Sequence, residues 1–362
     1  MAITQLHQQR LQDQTINSSM ARQALINSNF DVWQRGFTGS TPDLIITYWA
    51  DHWVDYPVKD GGTLPTLTRS RQVITPGDLL NSWYYSRLTT NGAGTSLGVN
   101  SVHLMWQKIE YGNRLLCGLN KKVTVSFWAR SSISNKRLAF TLTQVYGTGG
   151  SPSPDEQMLN DAITLTSTWT KYTHTFTTNT LVGKTFGTNN NDALQFNIWL
   201  AWGTTTGNNL IQTGISAETY VGSGTIDIAQ VQVCAGDEAL PYLPKTRLQE
   251  YMDCKRYWLQ SYDEGTAAGT ITNNAKVTWT SSGGNYDCNY HLFPVQMAVQ
   301  PIVVFYSPVT GTSARFRNES AVADVAATTS FPTVNGADFV VNNVATVTSS
   351  IMSTHFTAFA EI

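Results

Sequence analysis

Charge is scarce in this chain. Only 13% of its 362 residues are Asp, Glu, Lys or Arg, about half the usual share, and the formal net charge is −2. With no positive excess and no basic run, the chain has little with which to grip a phosphate backbone or an anionic membrane surface, so a nucleic-acid role is disfavoured. No long apolar stretch of about 18 residues occurs, which argues against membrane insertion. The start, MAITQLHQQRLQDQ, lacks the apolar core of a signal peptide, so a soluble product made in the cytoplasm is expected. Cysteine is also sparse: Cys117, Cys234, Cys254 and Cys288 lie far apart and form no C-x-x-C pair. Zinc and dithiol chemistry are therefore disfavoured, and buried, reduced thiols are expected. H-E-x-x-H, Walker, EF-hand and dinucleotide-binding patterns are missing too, which removes the commonest motif-borne chemistries.

Aromatic residues, by contrast, reach 11%, and Thr, Asn, Ser and Gly are abundant. That mixture suits β-structure with polar faces. The length exceeds what one core usually supports, so more than one domain is expected. Residues 1–25 are polar and Gln-rich with a loose apolar stripe, which reads either as a frayed terminus or as an arm that orders only against a partner or sister subunit. From 26 to 244, short runs alternate with Gly, Asn, Ser and Pro clusters. VTVSFWAR (123–130), RLAFTLTQVY (137–146), KYTHTFTT (171–178), LQFNIWLAW (194–202) and TIDIAQVQV (225–233) are the clearest strands. No helical pattern separates them, which predicts an antiparallel sandwich over a parallel α/β sheet. Residues 245–259 predict a linker helix on the spacing of Leu248, Tyr251, Met252 and Leu259, with Thr246 and Gln249 as a capping box. Over 260–362, AKVTWTS, YDCNYHLF, IVVFYSP, SARFRN, DFVVNN, ATVTSSIM and HFTAFAEI predict a second, smaller β-sandwich.

Candidate chemistry is thin. Gly94-Thr95-Ser96-Leu97-Gly98 matches the G-x-S-x-G nucleophile pattern, but its flanks are a Gly/Asn turn and a strand, where the nucleophile elbow needs a following helix. An ordinary hairpin loop is the expectation. Acids in strands are few. Asp31 and Asp227 meet if the first and last strands of the first domain are neighbours, and two such carboxylates suit calcium better than a proton relay; solvated or backbone-capping aspartates are the alternative. His103, His174 and His291 stand alone and read as structural or surface histidines. Period two in VTVSFWAR puts Trp128 and Arg130 on a polar face, and in LQFNIWLAW it does the same for Asn197 and Trp199. Aromatic planes flanked by amide and guanidinium donors suit sugar rings, so these four are the expected carbohydrate-binding residues. Burial of the tryptophans under a loop or a neighbouring subunit is the alternative. In NSNFDVWQRG and YWADHW, Phe30 or Trp33 is expected to close the first core, and Arg35 to pair with Asp51.

Three stretches then resemble a known group in order and spacing: LINSNFDVWQRG with YWADHW, MWQKIEYGNRLLCGLNKKVTVSFWAR, and IDIAQVQVCAGDEALPYLPKTRLQEYMDCKRYWLQSYDEGTAAGT. The group is that of bacteriophage tail-fibre and related virion proteins, and the resemblance covers residues 25 to about 270 plus the last strand. His52 stands where such proteins often carry arginine, and Trp258 where tyrosine is usual. The resemblance implies a jelly roll similar to carbohydrate-binding modules, with a structural calcium on Asp31 and Asp227. It also implies a homotrimer on the virion, joined to other tail proteins by the N-terminal arm and directed outward by its C-terminal sandwich. The expected role is non-enzymatic contact with a host-surface glycan, weak single sites being multiplied by threefold presentation. A structural collar or head fibre without ligand, and a polysaccharide depolymerase tail spike, are the alternatives; the latter needs paired acids in a cleft and normally a repetitive β-helix, and the sequence displays neither.

Overall fold

The computed structural model describes residues 22–220, 222–281, 284–344 and 350–362. Of the expected arm, residues 1–21 lie outside the described residues, whereas Ala24 already hydrogen-bonds the first unit through its N–H and the Val233 carbonyl, 3.0 Å. The chain forms two compact units. The first takes the chain up to Asp31, Thr38–Trp49 and Trp53–Pro244; the second takes Val32–Phe37, Ala50–His52 and Lys245–Ile362.

The first unit is an all-β, jelly-roll-like sandwich of two antiparallel sheets. One runs in the order β1 (Thr38–Ser40), β3 (Leu67–Val73), β4 (Tyr84–Thr90), β12 (Gly224–Ala235), β6 (Lys122–Ser131) and β10 (Thr170–Thr177). The other runs β2 (Val54–Val58), β5 (Val102–Glu110), β11 (Ala193–Trp202), β7 (Arg137–Val145) and β8 (Glu156–Met158), with β9 (Ile163–Thr164) also on β7. Alternation explains the core: Val123, Val125, Phe127 and Ala129 of β6 are all fully buried. Phe127 meets Phe140 of the opposite sheet edge-on at 5.0 Å, and Phe140 in turn approaches Phe196 at 6.5 Å. Phe30 is buried with them against Trp53, 5.2 Å between centroids. Two short helices, α1 (Gly112–Leu116) and α2 (Thr204–Leu210), cap loops. Cys117, Cys234 and Cys254 are buried free thiols, and burial pushes Cys117 up to about 12.

The second unit opens with α3 (Arg247–Lys255), capped by the Thr246 hydroxyl, which accepts from the Gln249 N–H at 3.3 Å. The helix is shorter than 245–259. Leu259 sits instead in β13 (Trp258–Gln260), paired with the end of β20 (Ser350–Phe359), and Leu248 is exposed. Pairing with the chain's last strand outweighs the helical spacing. Strands β14 (Val277–Ser281), β16 (Ile302–Tyr306) and β17 (Arg315–Asn318) also pair with β20 along its length, so the eight strands of this unit join in one connected sheet around it, where two separate sheets of a sandwich were expected. β15 (Gly284–Leu292), β18 (Ala323–Thr333) and β19 (Gly336–Val344) complete it. Its core is aromatic, with Phe305 against Phe316 at 4.6 Å and against Phe339 at 4.7 Å. β18 has no apolar alternation to announce it, and its Pro332 falls where the register with β19 breaks, between Ser330 and Thr333. Residues 345–349 of the expected strand ATVTSSIM lie outside the described residues.

NSNFDVWQRG divides between the units. Phe30 belongs to the first core, but Trp33 is buried in a segment of the second unit, so only one of the two aromatics closes the sandwich. Arg35 reaches Glu361 at 2.8 Å, and the guanidinium lies 4.1 Å over the Trp258 ring. His52 Nδ1 is 2.7 Å from the same Glu361 carboxylate, and its ring stacks on Tyr257 at 3.8 Å. The Gln34 side-chain amide donates to Asp51 at 2.7 Å and to the Trp258 carbonyl at 2.9 Å. Burial raises Asp51 to about 7 although Arg35 and Gln34 oppose the shift. Glu361 behaves in the other sense: burial pushes it up, but His52 and Arg35 together hold it below the usual carboxylate range. From Val32 on, the stretch and Ala50–His52 are tied together inside the second unit.

Candidate functional site

The four expected carbohydrate contacts do not share a surface. Trp128 and Arg130 lie on the outer face of the first sheet, and Asn197 and Trp199 on the outer face of the second. A single glycan platform built from all four is therefore corrected to two separate faces.

On the first sheet, the connection between β3 and β4 folds back across the face. Ile74 and Leu79 are buried there with Tyr85 and Ala229, and Trp128 and Trp169 pack against them. Beneath sits Asp227, 1% exposed. Arg87 donates to it twice, at 2.7 and 2.8 Å, and Arg130 Nε donates at 2.9 Å. Tyr85 and Trp169 frame the two guanidiniums: Arg130 lies 4.6 Å from the Trp169 ring and Arg87 lies 5.4 Å from Tyr85. This is a closed structural ion network. It also does not fit a calcium ion, because both Asp227 oxygens already accept from cations whose charge would repel one. Asp31, the other expected ligand, accepts from the Asn29 side chain at 3.4 Å through its carboxylate and from Arg71 at 2.8 Å through its carbonyl. Among the described residues no group of three or more His, Cys, Asp or Glu gathers as metal ligands.

The second sheet is organised differently. In β5, His103, Met105, Gln107 and Ile109 are buried, which leaves Leu104, Trp106 and Lys108 half-buried on the outer side. Tyr56 of β2 meets Trp106 edge-on at 6.1 Å. Directly across the ladder from Trp106 stands Asn197, and across from Lys108 stands Gln195. Asn197 donates to the Thr141 and Thr143 hydroxyls of β7 at 3.2 and 3.0 Å, and its own oxygen accepts from Gln195 at 2.6 Å. Gln157 of β8 reaches Thr141 at 3.2 Å. The result is a row of amides and hydroxyls fixed by one another, beside two aromatic rings. Burial lowers the Lys108 ammonium below its ordinary value, with Asp155 acting in the opposite sense.

Trp199 is not part of the open surface. It is 3% exposed, packed with Trp202, Ile211 and Ile215, and its indole N–H donates to Thr141 at 3.0 Å. The segment around α2 covers it. Tyr56, Trp106, Thr141, Thr143 and Gln157 are the residues that sequence reasoning missed. In HLMWQKIE the tryptophan shares a face with Lys108, but the opposite face mixes His103 and Gln107 with Met105 and Ile109, so period two marked no apolar side to announce it.

Ser96 sits in the loop expected of it, with φ +52, next to a bridge between Thr63 and Thr95. His103 lies inside the sandwich with Nε2 2.5 Å from Asp55 Oδ1 and Nδ1 against the Tyr220 hydroxyl. Asp55 accepts from Arg69 Nε at 2.9 Å. Burial lowers the His103 imidazole below its ordinary value, against the pull of the Asp55 carboxylate.

Residues 106–202 match the family model described as a carbohydrate binding domain. The match begins at Trp106 and contains Lys108, Thr141, Thr143, Gln157, Gln195 and Asn197. No curated protein matches the chain. Similar solved structures include the N-terminal cellulose-binding domain from Cellulomonas fimi β-1,4-glucanase C, 16% identical, covering 51% of this chain and 90% of that one at a TM-score of 0.28. Another is the family 11 carbohydrate-binding module from Clostridium thermocellum in complex with a β-1,3-1,4-mixed-linked tetrasaccharide, 10% identical, covering 56% and 98%, TM-score 0.29. Likenesses of that strength decide nothing about the ligand.

Proposed function

We propose that the outer face of the second sheet binds a glycan chain. The observation that carries this is the pairing of the half-buried Tyr56 and Trp106 rings with Gln195, Thr143 and Gln157, which are partly exposed and held in place by the buried Asn197 and Thr141 beneath them. Sugar rings offer C–H faces to aromatics and hydroxyls to such a row, and donors already fixed in place lose little freedom on binding. The match of residues 106–202 to a carbohydrate binding domain family supports the same reading. The test is calorimetric titration of the full chain with a panel of soluble polysaccharides. Binding that Trp106→Ala and Tyr56→Ala both weaken supports the face; binding indifferent to both overturns it.

The finer reading is a non-enzymatic virion fibre that carries this face to a host-cell glycan, as a homotrimer attached to the particle by residues 1–25. Its support is the resemblance of the three long stretches to phage tail-fibre proteins. A mass measurement in solution that returns a monomer overturns the trimer. New reducing ends after incubation with host polysaccharide overturn the non-enzymatic role in favour of a depolymerase. A trimer that binds no glycan favours a collar or head fibre.

A further inference from the structure

At one end of the first sandwich three loops close around a cavity of about 190 Å³ lined by Pro65, Gly94, Ser96, Leu97, Thr219 and Tyr220. None of these residues lies on the outer face of either sheet. Two of the loops are fixed to each other by Thr63 and Thr95, whose backbones exchange hydrogen bonds at 2.9 and 3.0 Å and whose hydroxyls meet at 2.9 Å. Gly94 permits the closeness, since a Cβ there would stand 2.6 Å from Pro65 Cδ. The third wall is equally rigid. Tyr220 is held at its hydroxyl by His103, which is held by Asp55, itself held by Arg69, and the Lys136 ammonium lies 4.9 Å from the Tyr220 ring centroid. Ser96 adopts φ +52, a left-handed conformation that a non-glycine residue seldom takes.

The lining has a definite chemistry. Pro65, Leu97 and the Tyr220 ring supply apolar surface, Ser96 and Thr219 supply hydroxyls, and no lining residue carries a charge. The volume admits about six waters at roughly 30 Å³ each and falls below the range of about 300–1,000 Å³ typical of drug-sized ligands. We propose that this cavity is a second site, separate from the face of the second sheet, which takes a single uncharged sugar ring. A pyranose has an apolar C–H face and a rim of hydroxyls, which is the complement of such a lining. A charged ligand would lie there without a counter-charge.

Saturation-transfer NMR on the full chain tests this with methyl β-glucopyranoside, methyl β-galactopyranoside and methyl α-mannopyranoside, and with glucuronate as the charged control. At least one neutral glycoside is expected to receive saturation and glucuronate none. Leu97→Trp, which fills the cavity, is expected to lower the transfer. Ser96→Gly relieves the left-handed conformation while removing the hydroxyl, so the melting temperature is expected to hold or rise as affinity falls at least fivefold. Trp106→Ala removes any share that the sheet face contributes, and the transfer that remains is expected to be lost in Trp106→Ala/Leu97→Trp, which separates this site from the sheet face. The proposal is overturned if no neutral glycoside is saturated, if glucuronate binds as well, if Leu97→Trp or Ser96→Gly leaves binding unchanged, or if Trp106→Ala removes it.

Discussion

The two outer faces of the first sandwich begin from the same sequence pattern and reach opposite ends. Each has a strand that alternates core residues with polar ones and plants a tryptophan among the polar set. On the first sheet the β3–β4 connection folds over the tryptophan, and the polar groups beneath collapse into an ion network around Asp227. On the second sheet the cover stops at Trp199, while Trp106 and Tyr56 stay half-open beside neutral amides and hydroxyls. A buried carboxylate between two arginines spends its hydrogen-bonding capacity internally. Gln195, Thr143 and Gln157, partly exposed above the buried Asn197 and Thr141, keep donors and acceptors to offer outward.

The sharpest way to break the comparison is Asp227→Ala. It leaves Arg87 and Arg130 facing one another without their carboxylate, and a loss of about 3 kcal/mol is expected in denaturant unfolding. If the variant is as stable as the parent, the first face is not a structural network. Next comes the pair Trp106→Ala and Trp128→Ala. The former is expected to weaken glycan binding more than tenfold, about 1.4 kcal/mol, and the latter to leave it unchanged while lowering the melting temperature; the reverse result would exchange the roles of the faces.

Asp51 supplies a third case, a buried acid met by an amide. Its carboxyl is raised to about 7 in the folded chain, above an unfolded value near 3.8, so the folded state holds a proton that the unfolded state releases. Stability from this group is therefore full below the unfolded value and declines as pH rises towards about 7. Asp51→Asn is expected to flatten that decline, read as unfolding free energy at several pH values between 4 and 8. Thr246→Ala removes the α3 cap and is expected to cost about 1 kcal/mol. The smallest expected effect is that of chelation. Because Asp227 is engaged by arginines, EDTA is expected to leave the melting temperature unchanged; a fall would restore the calcium reading.

Much of the fold was legible where side chains report on a core. The runs at 123–130, 137–146, 171–178, 194–202 and 225–233 all became strands within two residues of their expected bounds, because period two follows directly from burial on one side. The cap at Thr246 was legible for the same local reason. Alternation, however, says which side a tryptophan is on and nothing about what lies over it. Trp128 was covered by the β3–β4 connection, remote in sequence, and Trp199 by the segment around α2 just beyond its own strand, while among the described residues Trp106 stays half-buried. The partner of Arg35 was equally remote, since Glu361 lies at the opposite end of the chain. β18 escaped because its pairing comes from neighbours and not from its own small residues.

The second unit borrows Val32–Phe37 and Ala50–His52 from a part of the chain otherwise given to the first. During synthesis those residues leave the ribosome long before Glu361 exists to receive Arg35 and His52. The Trp33 N–H likewise waits for Glu264, whereas Asp51 has Gln34 beside it from the start. A fragment that begins at Lys245 would lack the guanidinium and imidazole that its Glu361 requires.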